Sequence, residues 1–118
     1  MKKLLLSAAA IATLVAFNST TQAQEPLDLA LVPKNVNNPF FDQARDGCKK
    51  AEAELAGQIT CRYIGPGEHG GGEEQLQMVN DLIAAGVDGI AVSPSNAAAM
   101  ASALATAKAA GIPVRPVA

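Results

Sequence analysis

The residues of this chain that could do chemistry are amides, hydroxyls and a pair of aromatic rings, and they follow three short apolar segments. The first group is Lys34, Asn35, Asn37, Asn38, Phe40 and Phe41, the second is a glycine-rich stretch at 65–72, and the third is Ser93, Ser95 and Asn96. Amides and hydroxyls hydrogen-bond well to hydroxyl groups, and an aromatic face packs well against C–H surface. This combination indicates the binding of a polyhydroxylated solute.

Phe40 and Phe41 are adjacent, and neighbours on a helix point roughly 100° apart, so both rings cannot face the same core. We expect Phe41 to be buried and Phe40 to project towards the loops, where its ring could pack on a sugar while Asn38 hydrogen-bonds the sugar hydroxyls. The alternative is that Asn38 only caps a helix and that Phe40 only covers an edge. The residue pattern alone leaves both interpretations open.

The glycine-rich stretch formally matches the dinucleotide fingerprint G-x-G-x-x-G, in the letters GPGEHG at 65–70. We reject a nucleotide site because Pro66 lacks a backbone donor and because the motif follows the second predicted strand rather than the first. Three carboxylates, those of Glu68, Glu73 and Glu74, would also repel a pyrophosphate. No Lys-Ser or Lys-Thr pair follows the glycines, so a Walker-type loop is excluded too.

His69 is the single histidine of the chain, and only carboxylates stand near it in the sequence. A zinc-type site needs more histidine or cysteine ligands than this, so we expect no metal. A serine or cysteine nucleophile would need a base and an orienting acid, which the chain does not offer. We therefore expect a binding protein without catalytic residues or cofactors, and not an enzyme.

The segments that position these residues alternate between strand-like and helix-like patterns. Strands are predicted at 27–32, 58–64 and 89–92, with a fourth from Ile112. Helices are predicted to begin at Asn37-Asn38-Pro39, at Glu73-Glu74 and at Ser95 or Asn96, and to end at Gly57, Gly86 and Gly111. The matching exits AAGVDGI and AAGIPV mark a repeated β/α unit.

Each predicted helix has apolar residues at spacings of three and four, which predicts a buried side. These residues are Phe41, Ala44, Cys48, Ala51 and Leu55 in the first helix, Leu76, Val79 and Ile83 in the second, and Met100, Leu104 and Ala107 in the third. Right-handed crossovers then predict an α/β fold with three layers, in which a parallel sheet carries helices on both faces. Ligands of such sheets bind beyond the carboxyl ends of the strands, where the polar groups lie.

The first 23 residues have the pattern of a secretory signal peptide, with Lys2 and Lys3, an apolar run from Leu4 to Phe17, and a polar stretch that ends at Ala23. The apolar run is shorter than the ~20 residues that cross a bilayer, so we expect cleavage after Ala23 and no stable membrane insertion afterwards. Cleavage leaves a formal net charge of −4, because two basic residues and no acidic ones are removed. An acidic chain without basic clusters argues against nucleic-acid binding.

Cys48 and Cys61 would enter an oxidising compartment after export. Cys48 lies on the predicted buried stripe of the first helix and Cys61 on the strand that follows it, so a disulfide is geometrically reasonable. The chain-entropy relation gives such a bridge about 3 kcal/mol of stabilisation. Two buried free thiols are the alternative.

The segment KNVNNPFFDQARDGCKKAEAEL resembles the opening of periplasmic sugar-binding proteins of the ribose-binding type. The likeness continues through VNDLIAAGVDGIAVSP and AKAAGIPV, and so covers 27–114. It implies the type 1 periplasmic binding protein fold, with 24–118 as an incomplete N-terminal lobe. It also implies a periplasmic substrate-binding component that captures a sugar or polyol between two lobes and delivers it to an ABC importer permease.

Carried over residue by residue, the ligand contacts of this family fall on Lys34, Asn38, Phe40, Phe41 and Ser93. Lys34 stands where the ribose pattern has a hydroxyl, and Ser93 stands where it has an amide, so the resemblance does not extend to ribose itself. It does imply that Phe41 can line the cleft with its edge while it packs on the sheet.

Two other protein classes remain alternatives, the effector domain of LacI-type transcription regulators and an exported flavodoxin-like enzyme. The regulator needs a DNA-binding headpiece where the signal peptide stands, and the enzyme needs a glycine loop that holds phosphate.

The family pattern continues beyond GIPV, whereas this chain reads Arg115-Pro116-Val117-Ala118. Because Pro116 cannot donate to a sheet ladder, we expect a shortened fourth strand and a poorly covered third strand. We also expect the 118-residue chain to bind no sugar with useful affinity alone, since closure of two lobes supplies half of the contacts.

Overall fold

The computed structural model describes residues 22–117. Its elements, in chain order, are β1 (Leu27–Val32), a 3-10 turn (Pro39–Phe41), α1 (Asp42–Glu54), β2 (Ile59–Tyr63), α2 (Glu73–Ala85), β3 (Gly89–Val92), α3 (Ala97–Ala109) and β4 (Val114–Pro116). No helix in this range is long and apolar enough to cross a membrane. The predicted signal peptide falls almost wholly on residues outside the described range, so the cleavage site stays a prediction.

The strands form one parallel sheet in the order β2-β1-β3-β4. Alternation along β1 divides its side chains between two faces. Ala30 and Val32 belong to the core formed with α2 and α3, whereas Leu29 and Leu31 lie on the side of α1 and Cys48. Helices therefore cover both faces, and the predicted three-layer α/β fold is confirmed.

The main core lies between the sheet and the pair α2 and α3. Its members are buried aliphatic side chains and one methionine: Ala30, Val32, Val79, Leu82, Val87, Ile90, Val92, Met100, Ala103, Ala107 and Ile112. Small residues on α3 let that helix lie close to the sheet. Abundant alanine here serves close packing as well as helix propensity.

Side-chain caps and left-handed glycines mark several of the element ends that were predicted. Asn38 Oδ1 accepts a hydrogen bond of 3.0 Å from the Phe40 amide, and Asn96 Oδ1 accepts one of 3.0 Å from the Ala99 amide. Asn96, and not Ser95, is therefore the cap of α3. Gly86 has φ 74° and Gly111 has φ 75°, the left-handed conformation that ends a helix at little cost for glycine.

Two predictions about element ends are wrong. The first helix ends at Glu54 and not at Gly57, because the chain turns there towards β2, and Leu55 is therefore 42% exposed and does not belong to the buried stripe. The fourth strand begins at Val114 and not at Ile112, because Ile112 packs into the core below α3 and its amide bonds back to the Ala107 carbonyl at 2.9 Å.

The fourth strand is short, at three residues, as expected, but β3 is not left uncovered along its edge, since it has a hydrogen-bonded neighbour on each side. The Ile90 amide donates to the Pro113 carbonyl at 3.0 Å, and the Val117 amide donates to the Val92 carbonyl at 2.9 Å. Successive residues of a parallel strand direct their backbone groups alternately to its two sides. Since the Val117 amide bonds to β3, the nitrogen of the preceding residue, Pro116, faces the open edge. Proline is tolerated at that position of an edge strand.

Candidate functional site

Three loops meet at the carboxyl edge of the sheet. The loop after β1 bonds to the glycine-rich loop through the Val36 amide, which donates to the Pro66 carbonyl at 2.8 Å, and through Asn37 Nδ2, which donates to Glu68 Oε1 at 2.7 Å. The Ser95 hydroxyl makes a long contact of 3.5 Å to the Lys34 carbonyl. The polar residues singled out from the sequence are thus brought to one edge.

The two phenylalanines divide as the sequence predicts. Phe41 is 5% exposed, whereas Phe40 is 70% exposed. Their ring centroids are 5.1 Å apart and the planes are perpendicular, an edge-to-face arrangement in which the buried ring supports the exposed one. The Phe40 ring is therefore a supported aromatic surface, available to a solute at the start of α1.

Asn38 both caps the turn and can serve a ligand. Its oxygen is used by the Phe40 amide, which leaves its NH₂ group as the part that can donate to a solute hydroxyl. Lys34 is half-buried at the end of β1 and its carbonyl faces Ser95. Both side chains lie on the loop that carries Phe40.

Asn35 and Ser93 lie beneath this edge. They are 6% and 1% exposed, and neither Asn35 Oδ1 nor the Ser93 hydroxyl has a hydrogen-bond partner among the described residues. Asn35 Nδ2 donates to Asn37 Oδ1, which orients the amide that reaches Glu68. Ser93 thus lies at the expected strand end, but below the surface that Phe40 and Asn38 form.

Gln75 lies at the same edge of the sheet, and no sequence pattern predicted a role for it. It is fully buried, with 0% exposure, in the first turns of α2. Its NH₂ group donates to the Pro33 carbonyl at 2.9 Å and to the Ser93 carbonyl at 2.8 Å, and its oxygen accepts from the Ser95 amide at 2.8 Å. The burial of Gln75 could have been predicted from helical spacing, since Gln75, Val79 and Leu82 share one helical face.

The glycine-rich loop, the first turn of α2 and Ser95 border a cavity of about 260 Å³. Gly72 has φ 102°, and a Cβ at this position would lie 2.9 Å from the Cβ of Asn96, so only glycine allows this approach. Three carboxylates, those of Glu68, Glu73 and Glu74, line the cavity. They would repel phosphate, in keeping with the rejected nucleotide fingerprint.

The predicted disulfide is confirmed. Cys48 of α1 is bonded to Cys61 of β2, with the Cα atoms 5.7 Å apart, a separation typical of disulfides. Glu52 of the same helix accepts a hydrogen bond of 2.6 Å from the Cys61 amide. These two links hold α1, and with it the turn that presents Phe40, to the outer strand of the sheet.

Known proteins share both the sequence pattern and the fold. The model of the periplasmic binding protein domain family matches residues 29–115. The ribose import binding protein of Bacillus subtilis is 30% identical over 96 residues, which are 81% of this chain and 30% of that protein. The chain therefore spans about a third of the length of such relatives.

Solved structures show the same relation. An ABC transporter solute-binding protein of Burkholderia graminis, in complex with D-arabinose, is 31% identical with a TM-score of 0.70, over 79% of this chain and 31% of that one. LsrB of Clostridium saccharobutylicum, in complex with AI-2, is 26% identical with a TM-score of 0.69, over 76% of this chain and 27% of that one. Because the family model matches residues 29–115, which are most of the chain, the chain belongs to the periplasmic binding protein domain family.

Proposed function

We propose that this protein is the substrate-binding component of an ABC importer and that it binds a sugar or a sugar-like polyol at the carboxyl edge of its sheet. The observation that carries the proposal is the exposed Phe40 ring beside Asn38, on the edge where three polar loops meet. The bound D-arabinose of the Burkholderia graminis relative and the bound D-allose of an Actinobacillus succinogenes relative support the sugar class.

Each proposed contact has a chemical role. Phe40 packs against the C–H face of the sugar, and Asn38 donates its NH₂ group to a hydroxyl. The ammonium group of Lys34 donates to another hydroxyl, and Phe41 holds the Phe40 ring from below while its edge borders the cleft. Ser93 is the deepest member of the set and reaches the ligand only if the edge opens around it.

We further propose that a second lobe closes over this edge in the whole protein, that an importer permease receives the solute, and that the protein works in the periplasm. The support is the length of the relatives, of which this chain spans about a third. Two-lobed closure expels water and adds contacts from the opposite side. The residues described here then supply one half of the site.

The test is an NMR titration of the isotope-labelled chain with pentoses, hexoses and polyols. We expect binding on the order of millimolar, because one half of a closed site gives little net affinity. The amides of Asn38 and Phe40 should shift, and Phe40→Ala should abolish the shifts. Leu55→Ala is the matched control, since Leu55 is also an exposed apolar residue but lies at the other end of α1.

Two outcomes would contradict the proposal. If no member of the panel shifts the amide signals at this edge, the proposal that the ligand is a sugar or a polyol is wrong. Micromolar binding by this chain alone would remove the two-lobed part, because one half of the site would then suffice.

Neither alternative class gains support. None of the relatives described above is a transcription regulator or a flavoprotein, and the carboxylates around the glycine-rich loop oppose a phosphate group.

A further inference from the structure

We propose that Gln75 is a positioning residue that sets the spacing between the loops after β1 and β3, and thereby places the ligand-binding groups on those loops. The inference rests on the proposed function for the identity of the ligand. The geometry is independent of the proposed function, because the hydrogen bonds of Gln75 define it without any ligand.

The ladder between β1 and β3 ends at the pair Val32 and Val92. Its last bond is the Ser93 amide donating to the Val32 carbonyl at 2.9 Å. Beyond this point no further backbone hydrogen bond joins the two strands in the described range. The carbonyls of Pro33 and Ser93 are nevertheless buried and so need a donor from elsewhere. The NH₂ group of Gln75 supplies both bonds and so extends the connection between the strands by one more step.

The side-chain amide is well suited to this task. Two carbonyl oxygens need two donors, and the Ser95 amide needs an acceptor, which matches the two N–H groups and one oxygen of a glutamine side chain. A glutamate would keep the acceptor and lose both donors. A methionine would keep a similar volume and lose all three bonds. At 0% exposure, water does not replace the missing partners.

The position of Gln75 in the topology explains why spacing matters there. β1 continues into α1 on one face of the sheet, and β3 continues into α3 on the opposite face, so the two loops diverge. A crevice opens at such a point, and ligands of open parallel sheets bind in it. Gln75 connects the loop after β1 to the loop after β3 at the base of this crevice, because its NH₂ group bonds to Pro33, the residue before Lys34, and to Ser93 itself.

The first test needs no ligand. Gln75→Met should speed hydrogen exchange of the Ser95 amide about tenfold, because its acceptor is lost, while exchange of the Ile90 amide in the sheet reports global stability. Gln75→Glu should keep the Ser95 amide protected but shift the amide signals of Lys34 and Ser93. Gln77→Met is the control, because Gln77 is exposed and, among residues 22–117, its side-chain amide bonds only to Asp81 on the same helix.

The second test is affinity. For sugars that bind the unsubstituted chain, Gln75→Met should weaken binding about tenfold, while Gln77→Met should leave it within about twofold. If no sugar binds, the proposed function fails, yet the exchange result still decides the role of Gln75. Unchanged exchange of Ser95 in Gln75→Met, or an equal change in Gln77→Met, would overturn the inference.

A milder variant covers the case in which Gln75→Met does not fold. Gln75→Asn keeps the amide but shortens the side chain by one methylene, so it cannot reach all three partners. Its effects on Ser95 exchange and on the loop signals should have the same direction and a smaller size. A Gln75→Asn chain with unshifted loops would overturn the inference equally.

Discussion

On one face of the sheet, α2 and α3 enclose an apolar core whose members are nearly all less than 5% exposed. On the other face, α1 lies over β1 and β2, and Cys48, at 7% exposed, is the single buried residue of this helix. An open apolar cavity of about 310 Å³ lies beside it, with Leu29, Leu31, Gly89 and Ala91 in its lining.

The two faces therefore hold their helices by different means. Many close contacts between small and branched side chains fix α2 and α3. By contrast, α1 is fixed by a disulfide and by the Glu52 carboxylate on the Cys61 amide. A covalent bridge lies where packing is thin, and the helix it holds begins at the Phe40 turn of the proposed site.

The largest expected contrast comes from the same substitution made on each face. Leu82→Ala should lower the free energy of unfolding by about 3 kcal/mol, because Leu82 is 4% exposed in close packing and leaves a cavity. Leu29→Ala should cost about 1 kcal/mol, because its side chain borders space that is already open. Urea unfolding measures both, and equal losses would show that the faces are packed alike.

Loss of the disulfide should be the next largest effect. The double variant Cys48→Ala and Cys61→Ala should lower the free energy of unfolding by about 2 to 3 kcal/mol, since the bridge restricts the unfolded chain across 13 positions. The unsubstituted chain under reducing conditions is the control for the small volume change at buried Cys48. A loss under about 1 kcal/mol would mean that packing and the Glu52 bond suffice to hold α1.

The smallest expected effect concerns Tyr63, which shares the α1 face with Cys61. Burial, with a further contribution from Asp42 and an opposing one from Arg45, raises the pKa of Tyr63 above its usual value. Because the folded protein holds this proton more tightly than the unfolded chain, the titration of Tyr63 leaves the free energy of unfolding unchanged below pH ~10 and lowers it as pH rises further. Tyr63→Phe should therefore unfold less readily than the unsubstituted chain at strongly alkaline pH.

At neutral pH the same change should be near neutral or slightly stabilising, because the buried Tyr63 hydroxyl has no partner among the described residues. Tyr63 is the single tyrosine of the chain, so ultraviolet titration of tyrosinate reads its pKa directly. An ordinary pKa, with no difference between the variants at alkaline pH, would place the hydroxyl in water.

Much of the fold could be predicted from local pattern. The strands at Leu27–Val32 and Gly89–Val92 have the predicted bounds, because buried parallel strands are almost wholly apolar and end at proline or serine. Asn38, Gly86 and Gly111 marked helix ends because caps and left-handed glycines are local requirements. The burial of Leu55 was predicted wrongly, because periodicity does not show where a helix ends relative to the sheet it covers.

The site could be predicted only in part. The division between buried Phe41 and exposed Phe40 follows from helix geometry, and it holds. The burial of Ser93 does not follow from its neighbours in the chain, because α2, which covers it, is brought there by the topology. The role of Lys34, Asn38, Phe40, Phe41 and Ser93 as ligand contacts stays a prediction.

By itself the sequence determined which residues form strands and helices, which end of the sheet carries the polar loops, and which two cysteines could pair, because these depend on spacing, on caps and on the handedness of crossovers. Only the tertiary structure decided that Gln75 joins the ends of β1 and β3, and that one face of the sheet is dense while the other relies on a disulfide. Both depend on contacts between residues far apart in the chain, and such contacts exist only once the helices have taken their places on the sheet.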